Sequence, residues 1–446
     1  MRSQRGSLML AVEPVPTIAA HQLLVFLLQV GTLLLVAFLL GRLAVRLGLP
    51  AIVGELCAGV LLGPSILEQV APGFSDWLLP RDPGQFHLLD ATGQIGVLLL
   101  VALTGAHMDL SMVRRRGTAA IRISFAGIAV PLALGVAVGF ALPAFLVPGE
   151  RPVFALFLGV AMGVSAIPVI ARTLMDLRLL HRNIGQLTLC AVMVDDIIGW
   201  LLLSMVSAMA TTGFHSGELA LSVTWLAVVL ICAVLLRPVV AFCLRAAART
   251  PGSGGTVTVV VVLALLASAA TQAMDLEAVF GAFVAGVVIR ASGALDQKAI
   301  APLQTFVVAV LAPVFFATAG LRMDLTALAD PAVLLTGLGV LAAAVFGKFA
   351  GAYAGARLSR LSHWEGLALG AGMNARGVIE VIIAMVGLRL GVLGTEMYTI
   401  IVLVAIVTSL MAPPILRATM SKVEQTAEEE LRERSFGIDG QRTAEA

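Results

Sequence analysis

Charge is scarce in this chain. Asp, Glu, Lys and Arg make up 13% of its 446 residues, against roughly 25% in soluble domains, which excludes an ordinary water-soluble enzyme. The net charge of +2 is too small for a nucleic-acid binder that works by counterion release. Cysteine is nearly absent: Cys57, Cys190, Cys232 and Cys243 lie in or beside apolar stretches with no CxxC, which removes a disulfide framework and a zinc site. The six histidines form no HExxH, so no histidine metal centre is expected. A GxxxxGK[ST] loop is missing, which disfavours a nucleotide-driven pump. No cofactor is expected.

What is there is apolar sequence. Hydrophobic residues are 59% of the chain and the mean hydropathy is +1.00; low hydrophobicity with high net charge, the signature of disorder, is the opposite pattern. A membrane helix needs about 20 mostly apolar residues. That length scale predicts an all-α polytopic membrane protein with about 13 transmembrane helices, near 20–46, 51–68, 88–107, 118–146, 152–173, 184–210, 218–246, 255–273, 277–290, 300–320, 331–356, 364–388 and 396–416. We read residues 1–420 as one transmembrane domain and 421–446 as a short acidic cytoplasmic tail carrying Glu428, Glu429 and Glu430. After Arg2 and Arg5, the residues Glu13, Pro14 and Pro16 leave an apolar run too short for a signal-peptide core, so the first helix is expected to be retained.

Orientation follows from where the arginines fall. Loops after odd-numbered spans hold fifteen basic residues (Arg42 and Arg46, Arg114 to Arg116, and so on to Arg357 and Arg360), whereas those after even-numbered spans hold only Arg81, Arg151, Arg322 and Arg389. The positive-inside rule then puts the arginine-rich face in the cytoplasm, the N-terminus outside and the C-terminus inside.

Two segments recur. Leu49-Pro-Ala-Ile-Val-Gly-Glu-Leu-Cys-Ala-Gly-Val60 aligns with Leu276-Glu-Ala-Val-Phe-Gly-Ala-Phe-Val-Ala-Gly-Val287, and Gly105-Ala-His-Met-Asp-Leu110 with Gly320-Leu-Arg-Met-Asp-Leu325. The displacement is seven spans, an odd number, so the copies must be upside down relative to each other. This predicts two six-helix inverted repeats, at about 20–210 and 255–416, joined by a connector at about 218–246. Inverted repeats are an architecture of secondary transporters, with the site where broken helices meet near the midplane. The two interrupted spans correspond under this pairing: span five holds Pro168, and span twelve holds the polar run Asn374–Arg376. We therefore expect two broken helices that meet at the site.

Few charges are left inside the spans. Among the basic residues only Arg122, Lys348 and Arg376 fall there, and Arg122 is near enough to an end to snorkel. Glu55, Asp195, Asp196 and Glu380 are deep. A charge at the bilayer centre costs roughly 2.5–3.5 kcal/mol on insertion scales, so each is a candidate functional group. Asp195 and Asp196 point about 100° apart, which lets one face a cavity while the other reaches a second helix. A buried carboxylate is expensive as a bare anion, and competition between a proton and a metal cation for such a group is a physical basis for exchange. Lys348 lies in a Gly347/Gly351/Gly355 ladder that permits close helix approach, and an ion pair with Asp195, broken when a cation arrives, is expected; a permanent structural bridge is the other reading. Arg376 and Glu380 are spaced i, i+4, suited equally to gating and to structural pairing. For Glu55 a structural hydrogen-bonding role is expected. Ser165 offers a hydroxyl beside carbonyls freed by Pro168, a hard-oxygen set suited to an alkali cation.

Taken together these residues resemble the monovalent cation:proton antiporter superfamily, specifically its CPA2 branch. The resemblance rests on Gly54-Glu-Leu-Cys-Ala-Gly-Val-Leu-Leu-Gly-Pro64, Val164-Ser-Ala-Ile-Pro-Val-Ile-Ala-Arg172, Asp195-Asp196, Gly320-Leu-Arg-Met-Asp-Leu325, Lys348 and Met373-Asn-Ala-Arg-Gly-Val-Ile-Glu380, in family order from about residue 20 to 415. The phrases around Pro168 and Arg376 are most similar to the cation/proton exchanger subgroup of plants and bacteria. The resemblance implies a homodimer in the plasma membrane, with a scaffold and a core that moves like an elevator around two crossed, broken helices. It also implies cation or proton binding at Asp196, with Ser165 nearby, and pairing of Asp195 with Lys348. A double aspartate implies electrogenic exchange of Na⁺ (or Li⁺ or K⁺) for protons, two protons per cation being the favoured ratio. Ser165-Ala166 and Asp195 depart from the subgroup's usual residues, which bears on cation preference and stoichiometry. The tail holds no GxGxxG, so the nucleotide-binding domain of potassium-efflux relatives is not expected. A sodium-coupled organic-solute symporter of the same inverted fold is the alternative; amides and hydroxyls would be expected there in place of a buried Asp-Asp-Lys set.

Overall fold

The computed structural model describes residues 18–80, 82–108, 110–212, 216–249 and 252–430. The N-terminal residues Arg2, Arg5, Glu13, Pro14 and Pro16, the loop residue Arg81, Asp109 of the second repeated segment and the tail beyond 430 lie outside them. All regular structure among the described residues is helical.

We number the helices by the apolar segment each forms: α1 (Ala20–Arg46), α2 (Ala51–Leu62), α3 (Pro83–His107), α4 (Leu110–Ala141), α5a (Arg151–Gly163), α5b (Ile167–Asp176), α6 (Asn183–Thr212), α7a (Ser216–Leu235), α7b (Arg237–Ala247), α8 (Gly254–Gln272), α9 (Ala278–Ala291), α10 (Ala301–Leu321), α11 (Pro331–Leu358), α12a (His363–Met373), α12b (Val378–Arg389) and α13 (Thr395–Met420). Nine helices among the described residues are long and apolar enough to span a membrane, or up to eleven if the bent pairs α7a/α7b and α12a/α12b, each angled by 48°, count as one span apiece. The expected thirteen is not reached on this criterion. Arg151–Gly163 and Ala278–Ala291 are apolar but short. The connector, expected as one helix, bends at Leu236; Pro238 at the second position of α7b lacks the N–H that would continue the ladder.

The pairing of helices has an internal two-fold pattern. Helix α2 packs on α10 and α9 on α3; α1 packs on α2 and α8 on α9; α4 packs on α11. The glycines shared by the repeated segments make these contacts. Gly59 abuts the Ala317 carbonyl and its counterpart Gly286 abuts that of Ala102; Gly320 abuts the Leu56 carbonyl and its counterpart Gly105 that of Phe283. Gly54 and Gly281 meet Leu40 and Ala267 in the same way. A side chain at any of these positions would collide with backbone, which explains why small residues recur there.

Two groups of helices result. One contains α1 to α3 and α8 to α10, and the other α4 to α6 and α11 to α13; between them, contact is confined largely to α9 against α6 and α10 against α12b, with α7a bridging to α6 and α9. The described part of the tail, though mostly exposed, is tied back to the loop before α6. Arg182 donates to the carbonyls of Val423 and Glu424 at 2.9 and 3.1 Å, and Glu429 is buried.

Candidate functional site

The site forms where the two interrupted helices meet. Proline at the second position of α5b ends the preceding ladder, so residues 164–166 run extended between α5a and α5b. Asn374 to Gly377 form the corresponding gap between α12a and α12b. The gaps touch: Ala166 N–H donates to the Ala375 carbonyl at 3.4 Å, and a Cβ on Gly377 would meet Val169 Cγ2 at 2.6 Å. Irregular backbone survives at membrane depth only where it is buried in protein or lines a cavity. Here it is buried, with Val164, Ser165, Ala166, Asn374, Ala375 and Arg376 all at 1% exposure or less.

Asp195, in the middle of α6, is held by three side chains. Lys348 Nζ lies 2.8 Å from its Oδ2, Ser124 Oγ donates to Oδ1 at 2.5 Å, and Ser165 Oγ is 3.1 Å from Oδ2. The Ser165 hydroxyl also lies 2.8 Å from the Met373 carbonyl. With a single proton, it can donate to only one of these acceptors at a time. Lys348 additionally donates to the Gly163 carbonyl at 2.6 Å. Asp196 differs entirely: it is fully buried, and neither carboxylate oxygen has a hydrogen-bond partner among the described residues.

Arg376 closes the end of α5a. It donates to the carbonyls of Ala161 and Met162 at 3.1 and 2.7 Å and to that of Ala344 at 3.2 Å, and it pairs with Glu380 at 3.3 Å. Ser409 Oγ of α13 donates to the Arg376 carbonyl. Lys348 and Arg376 thus place two positive charges on the last three carbonyls of α5a, the negative end of its dipole. These two cations, set on consecutive carbonyls of a buried helix end, are balanced by Asp195, by Glu380 and by that dipole end.

Of the residues singled out in the sequence, Ser165, Asp195, Asp196 and Lys348 come together, and Arg376 and Glu380 sit beside them. Glu55 does not join them. It lines a separate cavity of about 360 Å³ with Arg42, Arg46 and Phe38 of α1 and Val308, Ala309 and Pro313 of α10. Its carboxylate makes no hydrogen bond among the described residues, so the bonding role expected for it is not what the geometry presents. Ser124 and Asn374 were missed. Asn374 is fully buried with both amide atoms unpartnered; an amide inside the polar break was the signal available for it.

A family model described as sodium/hydrogen exchanger, transmembrane, matches residues 33–422. The chain is 31% identical over 400 residues to the Na(+)/H(+) antiporter NhaS4 of Synechocystis sp., covering 89% of this chain and 97% of that protein. It is also 31% identical over 382 residues to Cation/H(+) antiporter 15 of Arabidopsis thaliana, covering 84% of this chain and 46% of that protein, so it spans about half the length of this plant relative. The fold resembles that of the sodium proton antiporter MjNhaP1 from Methanocaldococcus jannaschii, with a TM-score of 0.65 at 16% identity over 89% of this chain and 98% of that one.

Proposed function

The chain belongs to the sodium/hydrogen exchanger family, and from that premise we propose that it is a secondary active antiporter exchanging a monovalent cation for protons at Asp196. The observation that carries this reading is the contrast within the aspartate pair. Asp196 is buried with both oxygens unpartnered, whereas Asp195 is neutralised by Lys348 at 2.8 Å. A bare buried carboxylate is costly, so Asp196 takes either a proton or a cation, and one displaces the other. Na⁺ is the favoured cation, with Li⁺ and K⁺ as further candidates. The Ser165 hydroxyl and the carbonyls of the two breaks supply hard oxygens around it.

Lys348 couples the second proton. A cation at Asp196 adds positive charge beside the Asp195–Lys348 pair, weakening the hold on the ammonium proton, and loss of that proton makes the exchange two protons per cation. One net charge then moves per cycle, worth about 2.3 kcal/mol per 100 mV, so membrane voltage drives cation export. Arg376 and Glu380 keep the breaks in register. The sparse contact between the two helix groups supports a cycle in which the group carrying the site slides against the other, as an elevator, within a homodimer. The arginine-rich face is cytoplasmic by the positive-inside rule, which puts the N-terminus outside and the C-terminus inside a plasma membrane. Nothing in this reading calls for a cofactor.

The test is cation-induced dequenching of a pH dye in vesicles, comparing Na⁺, Li⁺, K⁺ and Rb⁺. Asp196→Asn is expected to abolish the response, and a variant with full activity overturns the assignment. Voltage dependence in proteoliposomes reads the stoichiometry; a Lys348→Ala protein that stays electrogenic removes the lysine from the proton count.

A further inference from the structure

Helix α6 carries more than its aspartates. Asp196, Trp200 and Ser204 follow each other at intervals of four, which aligns them on one face. All three are buried at 1% exposure or less, and the Asp196 carboxylate, Trp200 Nε1 and Ser204 Oγ have no hydrogen-bond partner among the described residues. A buried polar group left unpaired is costly, and such groups usually hold ordered water. Three in succession on one helix face form a file.

The file leads from the site to the arginine-poor face and ends on a cluster. Ser207 Oγ donates to Glu277 Oε1, and Glu277 Oε2 lies 2.6 Å from Arg389 Nη2. Glu277 is the residue before α9, its backbone carbonyl held by Thr271 Oγ1 at 3.2 Å. Its side chain is 4% exposed, while that of Arg389 is 44% exposed, so solvent lies directly beyond the arginine. From Asp196 to Ser207 the helix rises about 16 Å. The wall opposite is α9, where Phe283 packs on the Trp200 ring with centroids 6.0 Å apart. The file therefore runs between the two helix groups. Its end joins one group to the other: Glu277 from the first, Ser207 and Arg389 from the second.

We propose that this face of α6 is the access route between Asp196 and the arginine-poor surface. Trp200 N–H and the Ser204 hydroxyl are its hydrogen-bonding stations for water-borne protons and a partly hydrated monovalent cation, and the Glu277–Ser207–Arg389 cluster is its gate. The proposal rests on Asp196 being the exchange site. Opening requires Glu277 to release both partners, which the exposed guanidinium assists because water replaces the carboxylate there. The indole can donate but not accept, so Trp200 anchors a water oxygen and does not itself carry a proton or ligate the cation, whereas the Ser204 hydroxyl can both donate and accept.

Accessibility tests the gate without requiring transport. With Cys57, Cys190, Cys232 and Cys243 replaced by serine or alanine, Ser204→Cys reports on the file through its labelling rate with a membrane-impermeant maleimide applied to either side. Slow labelling is expected in that background, with at least a tenfold increase on adding Glu277→Gln or Arg389→Gln, and only from the arginine-poor face. Unchanged rates in both gate variants, or labelling from the arginine-rich face, overturn the proposal. Trp200→Phe keeps an aromatic ring against Phe283 and removes the N–H together with part of the buried indole volume, so a lowered thermal transition is expected with it. Exchange slowed several-fold is expected in Trp200→Phe and in Ser204→Ala alike, and unaltered exchange in Trp200→Phe removes Trp200 from the route. If the wild type shows no exchange while Glu277→Gln still exposes position 204, the gate stands and the exchange reading fails; intact exchange with no change in labelling gives the converse.

Discussion

Asp195 and Asp196 are adjacent on α6 and have opposite surroundings: the first receives Lys348, Ser124 and Ser165, and the second receives no hydrogen bond among the described residues. Consecutive helical positions differ by about 100°, enough to turn one carboxylate toward α4 and α11 and leave its neighbour clear of them. Under the function proposed above, one aspartate is committed to a fixed counter-ion and the other is left for an exchangeable one.

The Asp195–Lys348 pair is fully buried on both sides, so removing one partner should cost far more than removing both. Breaking a buried pair typically destabilises by about 3–5 kcal/mol, because the remaining charge is stranded. Lys348→Met should lower the thermal transition of the detergent-solubilised protein sharply, and adding Asp195→Asn should restore most of it. Additive losses would show that the two residues are not coupled in this way.

The repeat glycines differ in consequence from glycines elsewhere. A Cβ on Gly286 would run into the Ala102 carbonyl, whereas one on Gly31 meets nothing within 4 Å. Gly286→Ala should therefore destabilise or prevent folding, since backbone must move between α9 and α3. Gly31→Ala should be neutral or stabilise by up to about 1 kcal/mol, the ordinary helix-propensity gain. Thermal melting of the two single variants separates them, and equal melting would sink the close-contact account.

What could be read in advance was whatever breaks the pattern of an apolar helix. Pro168 and the Asn374–Arg376 run announce both gaps, and repeated glycines announce the helix contacts, because each is costly in lipid unless the fold compensates. Ser124, Trp200 and Ser204 gave no such signal. A hydroxyl in a membrane helix commonly bonds its own carbonyl four residues back, as Thr188, Ser268 and Thr408 do here at 2.7–2.9 Å, so only tertiary geometry separates a group that does so from one that does not. Glu55 misled for the related reason that a buried-looking position in sequence turned out to face a cavity. Glu429 belongs by sequence to a short acidic tail with no sign of a partner, yet it is buried at 2% exposure, since docking depends on where Arg182 lies in space.

Arg376 should not tolerate lysine. Its guanidinium reaches two carbonyls at the end of α5a, a third on α11, and Glu380; a lysine ammonium is a point charge without that planar fork. Arg376→Lys is expected to fold but to lose at least tenfold in maximal exchange rate, with a smaller change in apparent cation affinity. A wild-type rate would remove the residue from positioning the breaks.

The tail latches the other end of α6. Asn183 N–H, at the first residue of this helix, donates to Glu429 Oε1 at 2.5 Å, Thr426 N–H donates to Oε2 at 2.8 Å, and Arg182 Nε is 3.4 Å away. Burial alone pushes the Glu429 carboxyl up, but the two backbone N–H groups and Arg182 outweigh it and hold the group below its ordinary value of 4.5. A depressed carboxyl contributes stability that is fully present above the ordinary value and is lost as pH falls through the lower, folded one. The tail should therefore stay docked from neutral pH down to about 4.5 and come free only below it. Hydrogen exchange of residues 423–430, corrected for the intrinsic pH dependence, should show constant protection across that range in the wild type and its loss in more acid solution. Glu429→Gln keeps the shape and removes the charge, so its segment should exchange faster than wild type from neutral pH down to about 4.5, and the difference should vanish in more acid solution where the wild-type carboxyl is itself neutral. Release of the wild-type tail between pH 6 and 7 would contradict the charge-held latch, because the carboxylate is fully ionised there.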